Sequence, residues 1–137
     1  MNNKKKIGYL IWITGNSGSG KTSIAKKIFK KIEKKLGTTV LINGDDLRNI
    51  FNLKNYDFSS RKKIALSYGR FSDFLTKQGI NVIFATISMF HDIRIQNRKI
   101  LKKKYIEVYI NTPIPKKIKN KKKKLYLNKK KNCRFRN

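Results

Sequence analysis

Apolar positions along this chain fall into two kinds of run. The first kind is short, continuous and rich in β-branched and aromatic residues: 9–14, 39–42, 80–85 and 105–110. Such runs predict strands buried on both faces. The second kind is spaced. Ile24, Ile28, Ile32 and Leu36 recur every fourth residue over 23–36, with lysines between them. That spacing predicts an amphipathic helix with these four on its inner face. Ile64, Tyr68, Phe71 and Leu75, with Phe74 beside them, predict a second helix over 61–78 with its aromatics in the core. A helix is also expected over 91–101 and a short one over 45–51, while 52–60 reads as turn-like. Gly37 and Gly79 stand where helix-ending glycines stand.

Strand and helix signals therefore alternate, which predicts an α/β fold with a mainly parallel sheet flanked by helices. The chain of 137 residues is long enough for one domain, expected over 1–115. Pro113 and Pro115 break regular structure, and from Lys116 the composition turns to lysine. A like-charge block of this kind repels itself, so 116–137 is expected to be a disordered tail. The functional alternative there is a basic arm that grips phosphate or nucleic acid.

Charge adds one expectation. Lys and Arg number 35 against 7 Asp and Glu, a formal net charge of +28. Such a chain attracts anionic ligands and binds nucleic acid non-specifically. Cys133 is the single cysteine, so no intramolecular disulfide can form. The first apolar run is too short to span a membrane and has no cleavage pattern, so a cytoplasmic location without membrane contact is expected. His91 has no cysteine or carboxylate cluster around it and reads as a helix-start residue, not a metal ligand. Trp12 reads as core.

The candidate chemistry sits between the first strand and the first helix. Gly15, Asn16, Ser17, Gly18, Ser19, Gly20, Lys21 and Thr22 fit the P-loop pattern G-x-x-x-x-G-K-[ST] at every fixed position, in the strand–loop–helix context it requires. The loop N–H groups would cradle the phosphates of ATP. Lys21 would reach the β- and γ-phosphates, and the Thr22 hydroxyl would hold Mg²⁺. The second strand leads into Asn43-Gly44-Asp45-Asp46-Leu47-Arg48. A carboxylate at that strand end, Asp45, can orient Mg²⁺ or accept a proton from an attacking hydroxyl. Arg48 can bind an anionic acceptor, although the same residues would also serve as a helix cap and a surface arginine.

Together these motifs resemble the adenylylsulfate kinase family. The family's I-W-x-T-G strand and x-S-G-S-G-K-S-T-I-A loop are similar to Ile11-Trp12-Ile13-Thr14-Gly15 and Ser17-Gly18-Ser19-Gly20-Lys21-Thr22-Ser23-Ile24-Ala25, with the Ser-Thr pair reversed. Its D-G-D-N-x-R segment is similar to the six residues from Asn43 to Arg48, with Asn43 in place of the first aspartate. Its G-F-S is similar to Asp57-Phe58-Ser59, and its I-S-P to Ile87-Ser88-Met89. Its F-x-E-V-x-V-x-T-P strand is similar to the run from Tyr105 to Pro113.

The resemblance implies a P-loop kinase fold, with ATP and Mg²⁺ as cofactors. It also implies transfer of the γ-phosphoryl group to the 3′-hydroxyl of adenylylsulfate, a step of sulfate assimilation. Lys21 and Asp45 would be catalytic, Thr22 and Asp45 would hold the metal, and Gly15 to Ser23 would bind ATP. Arg48, Phe58, Arg61, Ile87 and Ser88 would bind the small-molecule nucleotide acceptor, Phe58 by stacking on its base. A homodimer is among the assemblies to expect. The family's N-I-R-R, which helps bind adenylylsulfate, falls at Ile64-Ala65-Leu66-Ser67, so the asparagine and both arginines are missing. Relatives that phosphorylate other nucleotides, including a cytidine diphosphoramidate, have a segment similar to Thr86-Ile87-Ser88-Met89-Phe90, which makes such an acceptor the alternative. The family's R-D-x-K-G-L-Y-K-K-A segment and the lid and helices beyond it have only Lys123-Lys124-Leu125-Tyr126 as a faint counterpart here. A chain truncated at its C-terminus, with little activity, is therefore a further expectation.

Overall fold

The computed structural model describes residues 6–112. In chain order the elements are β1 (Leu10–Gly15), α1 (Lys21–Leu36), β2 (Thr39–Asn43), α2 (Gly44–Ile50), α3 (Phe58–Lys77), β3 (Asn81–Thr86), α4 (His91–Leu101), a 3-10 turn (Lys102–Lys104) and β4 (Tyr105–Ile110). All strand pairings are parallel, and the sheet order is β2-β3-β1-β4. The lysine-rich tail, the two prolines and Cys133 lie outside the described residues.

The uninterrupted apolar strands are those covered on both sides. Successive side chains of a strand point to opposite faces, so β1 divides its residues between two cores. Leu10 and Trp12 join Val82, Phe84, Tyr68, Leu47, Leu101 and Tyr105 on the face covered by α2, α3 and α4. Ile11 and Ile13 join Ile83, Ala85 and Ala25 on the α1 face, with Ile28, Phe29 and Ile32 packed against them. The Phe84 ring lies between two others, with centroids 5.1 Å from Trp12 and 4.9 Å from Tyr68. The α1 stripe thus runs through Ala25, Ile28, Phe29 and Ile32. Ile24 lies at its margin and is exposed.

Two expectations about α3 are corrected. The helix starts at Phe58, three residues earlier than its apolar spacing indicates. Asp57 caps it by accepting from the Ser60 N–H at 2.9 Å. Phe71 and Phe74 are exposed, not core. The inward stripe is Ala65, Tyr68, Gly69, Ser72 and Thr76. Small side chains let α3 lie close to α4: a Cβ on Gly69 would come within 2.3 Å of the Asn97 Oδ1. The buried hydroxyls of Ser72 and Thr76 are satisfied by backbone carbonyls of their own helix.

Asn81 pins the N-terminal end of the sheet. Its carbonyl accepts from the Tyr9 N–H at 3.0 Å, and its NH₂ faces the carbonyls of Leu36, Gly37 and Thr38. At the other edge Glu107 of β4 pairs with Arg94 and Arg98 of α4 at 2.7 and 2.9 Å. No helix among the described residues is long and apolar enough to cross a membrane.

The Asp57 cap makes a pH prediction. Its hydrogen bonds to Ser60 hold the Asp57 carboxyl below the ordinary 3.8. A depressed folded-state pKa contributes stability above the unfolded value, and that contribution is lost as pH falls through the folded value. Asp57→Ala is therefore expected to be less stable than wild type in urea at neutral pH. The difference should shrink steadily below pH 3.8.

Candidate active site

The sheet order sets where a ligand can enter. The connection leaving β1 runs toward β2, and the one leaving β3 runs toward β4, on opposite faces of the sheet. A crevice opens at the carboxyl ends of two such neighbouring strands. Here a cavity of about 370 Å³ fills that place. Its walls come from three strand ends: Ser17, Gly18, Gly20, Lys21, Thr22 and Ser23 after β1, Asn43 and Asp45 after β2, and Ala85, Thr86 and Ile87 at the end of β3.

Gly15, Gly18 and Gly20 of the loop all have positive φ, and the two at its ends show why glycine stands there. Gly20 is the residue before α1 and has φ 92°, a left-handed conformation that side chains disfavour. It caps α1 without any side-chain acceptor. First-turn N–H groups without a side-chain cap are the kind of donors that an anion can satisfy. Gly15 lies against β4, and a Cβ there would sit 2.6 Å from the Ile110 carbonyl oxygen. The far side of the loop is braced from β4 as well, since the Thr112 hydroxyl donates to the Ser19 carbonyl at 3.0 Å.

Lys21 is buried at the mouth of the loop, 9% exposed. Its ammonium donates to the carbonyls of Gly15 at 3.1 Å and Asn16 at 2.7 Å. The Thr22 hydroxyl faces β2 and donates to Asn43 Oδ1 at 3.3 Å. Asn43 Nδ2 in turn donates to Asp46 Oδ2 at 2.9 Å. Thr22, Asn43 and Asp45 thus offer hydroxyl, amide and carboxylate oxygens at one wall. These are hard donors, which fit a magnesium ion bound through one or two protein oxygens plus phosphates. Among the described residues no cluster of three His, Cys, Asp or Glu could hold a metal alone. The Gly44 carbonyl beside this wall accepts from the buried Tyr68 hydroxyl at 2.8 Å, and burial pushes that hydroxyl's pKa up.

The expected acceptor residues divide into three groups. Ile87 lines the cavity itself. Phe58 and Arg61, at the start of α3, meet Phe90 from the loop after β3. The two rings are edge-on with centroids 5.5 Å apart, and the Arg61 guanidinium lies 5.9 Å from the Phe90 ring. Lys62 and Asp92 hold these two segments together by an ion pair at 2.5 Å, and Lys62 keeps the Asp92 carboxyl below its ordinary range. Arg48 and Ser88 are placed otherwise. The Arg48 guanidinium donates to the carbonyls of Leu53 and Asn55 at 2.9 and 3.1 Å and covers the Tyr56 ring at 4.5 Å. Ser88 is buried, and its carbonyl accepts from the Thr14 hydroxyl at 3.0 Å. Phe90 escaped the residue reading because an aromatic before a helix reads as a packing residue. Its signal is the pairing with Phe58, which is long-range.

A parallel sheet with a P-loop at its switch point, and carboxylates on the facing strand end, defines a P-loop kinase fold. The family model for adenylylsulphate kinase matches residues 7–135. The chain therefore belongs to the adenylylsulphate kinase family. Cytidine diphosphoramidate kinase of Campylobacter jejuni is 42% identical over 122 residues, which cover 89% of this chain and 71% of that protein. Adenylyl-sulfate kinase of Clostridium kluyveri is 35% identical over 109 residues, covering 78% of this chain and 54% of that one. This chain thus spans just over half the length of the clostridial relative. Among solved structures, the Mycobacterium tuberculosis APS kinase CysC in complex with AMPPNP and APS matches with a TM-score of 0.73 at 27% identity. That match covers 90% of this chain and 73% of the mycobacterial one. None of these three lends support to the nucleic-acid partner that net charge suggested.

Proposed function

We propose that this chain transfers the γ-phosphoryl group of ATP to a hydroxyl of a nucleotide acceptor. We further propose that cytidine diphosphoramidate fits as acceptor better than adenylylsulfate. The single observation that carries the first part is the cavity at the carboxyl ends of β1, β2 and β3, lined by Ser17, Gly18, Gly20, Lys21 and Thr22 of the P-loop and by Asp45.

The roles follow from placement. The first-turn N–H groups of α1 and the loop amides hold the phosphates, and the Lys21 ammonium neutralises charge on the transferring group. Bound with the nucleotide beside Thr22 and Asp45, Mg²⁺ would supply charge neutralisation at the β- and γ-oxygens. Asp45 accepts the proton of the attacking hydroxyl or orients the metal's water shell. In-line displacement needs no phosphorylated serine, so Ser88 is kept as a substrate-side residue.

The acceptor preference rests on α3. The positions where the family carries N-I-R-R hold Ile64, Ala65, Leu66 and Ser67, so no cation stands there for a sulfate-bearing acceptor. The identity of 42% to the Campylobacter kinase supports the same choice. The base is expected to stack at the exposed Phe58 ring, which meets Phe90 edge-on, while Arg61 lies over the Phe90 ring. Base–aromatic stacking contributes about 1–3 kcal/mol. Phe58→Ala is thus expected to raise the acceptor KM about tenfold or more while leaving the KM for ATP unchanged. Initial rates with each acceptor under saturating Mg²⁺-ATP test the preference. A higher kcat/KM for cytidine diphosphoramidate is expected. A higher value for adenylylsulfate would return the chain to the sulfate branch.

A further inference from the structure

Asn43 departs from what its position leads one to expect. It is the N-cap of α2, where an asparagine side chain ordinarily accepts from a first-turn N–H. It makes no such bond. Its amide is spread instead between Thr22, whose hydroxyl donates to Oδ1 at 3.3 Å, and Asp46, which accepts from Nδ2 at 2.9 Å.

We propose that Asp46 is a positioning residue of the metal–nucleotide site, fixing which end of the Asn43 amide faces Thr22. The inference rests on the reading of this cavity as a Mg²⁺-ATP site. An ionised carboxylate can only accept hydrogen bonds. Asp46 therefore holds the NH₂ end of Asn43 toward itself and leaves the carbonyl end for Thr22. The Thr22 hydroxyl then directs its one proton at Asn43 and keeps its lone pairs for the cation. Without Asp46 the amide is free to rotate by half a turn. Its NH₂ would then donate to Thr22 Oγ and occupy a lone pair that the metal needs.

The exchange with the family pattern fits this role. The family reads Asp-Gly-Asp-Asn where this chain reads Asn43-Gly44-Asp45-Asp46. Acid and amide have traded places between positions 43 and 46, and those are the two side chains that bond each other here. An acid at 43 has two equivalent oxygens, so it would accept from Thr22 in either orientation and need no help. An amide at 43 has two orientations, and the acid at 46 chooses between them.

The test is calorimetric binding of a non-hydrolysable ATP analogue, with Mg²⁺ and with EDTA, to wild type, Asp46→Ala and the exchanged pair Asn43→Asp/Asp46→Asn. Outer partners that orient a metal ligand typically contribute about 10- to 100-fold in affinity. Asp46→Ala is expected to lose about tenfold or more in Kd with Mg²⁺ and to match wild type in EDTA. The EDTA arm reports that the variant is folded and the P-loop intact. The exchanged pair is expected to recover the Mg²⁺-dependent affinity. Wild-type affinity for the Mg²⁺ complex in Asp46→Ala would overturn the inference. So would an exchanged pair as weak as Asp46→Ala, since the acid at 46 would then act by its own charge. No binding by wild type under either condition would overturn the site reading as well.

Discussion

Lys21→Ala is expected to lower kcat about 100- to 1,000-fold and to weaken ATP binding, while the protein remains folded. On the proposed function, the loop around Lys21 presents one positive charge where charge shifts during transfer. Its ammonium lies at the cavity mouth, buried and held by the carbonyls of Gly15 and Asn16. A charge held in place by fixed dipoles stabilises a transition state without reorganising at the moment of reaction. Phosphoryl transfer leaves little covalent chemistry for the protein, so this electrostatic share is large. Alanine is a good helix residue at the first position of α1, so the fold is expected to remain. Steady-state rates with ATP, alongside a thermal melt, check the expectation. Lys21→Arg is not expected to rescue, because the broad guanidinium cannot replace a compact ammonium between two loop carbonyls.

Asp45→Asn is expected to cost about 100-fold or more in kcat while the KM for ATP changes little. Asp45 is in the first turn of α2 and lines the cavity across from the P-loop. Asparagine keeps its size and its accepting oxygen but cannot take a proton or carry charge. Loss confined to kcat marks an interaction made in the transition state and not on binding. A rise in the KM for ATP at unchanged kcat would instead assign Asp45 to nucleotide binding.

Much of this architecture is legible in the residues. The four strands and α4 fall where the runs place them, to within about a residue, because continuous β-branched stretches between glycines and lysines have few alternatives. The α3 helix is the exception. Tyr68 is in the core with Ile64 and Leu75 packed against it, as the spacing expects, but Phe71 and Phe74 face outward and the small residues Ala65, Gly69, Ser72 and Thr76 complete the inward face. Hydrophobic spacing cannot find a face chosen for closeness of approach. The start of α3 was legible in principle, since Asp57 followed three residues later by the Ser60 N–H is an ordinary cap.

The site divides in the same way. A P-loop is a contiguous string whose chemistry is backbone and lysine, so Gly15 to Thr22 can be read directly. The contacts of Arg48 could not be, because its partners are the carbonyls of Leu53 and Asn55, which carry no side-chain signature. The Phe58–Phe90 pair and the Thr22–Asn43–Asp46 chain join segments far apart in sequence. At Asn43 the residues alone register the loss of an acid. The hydrogen bonds show that the acid stands one helical turn away and touches the residue that replaced it.

The central claim is phosphoryl transfer from ATP at this P-loop. The most direct measurement is mass spectrometry of the nucleotide products after incubating the protein with Mg²⁺-ATP and each of the two acceptors. Lys21→Ala is the parallel control. The account predicts an acceptor heavier by one phosphoryl group, with ADP formed alongside it, for the wild type and only a trace for Lys21→Ala. Equal product from both proteins, or ADP formed with neither acceptor modified, would contradict it.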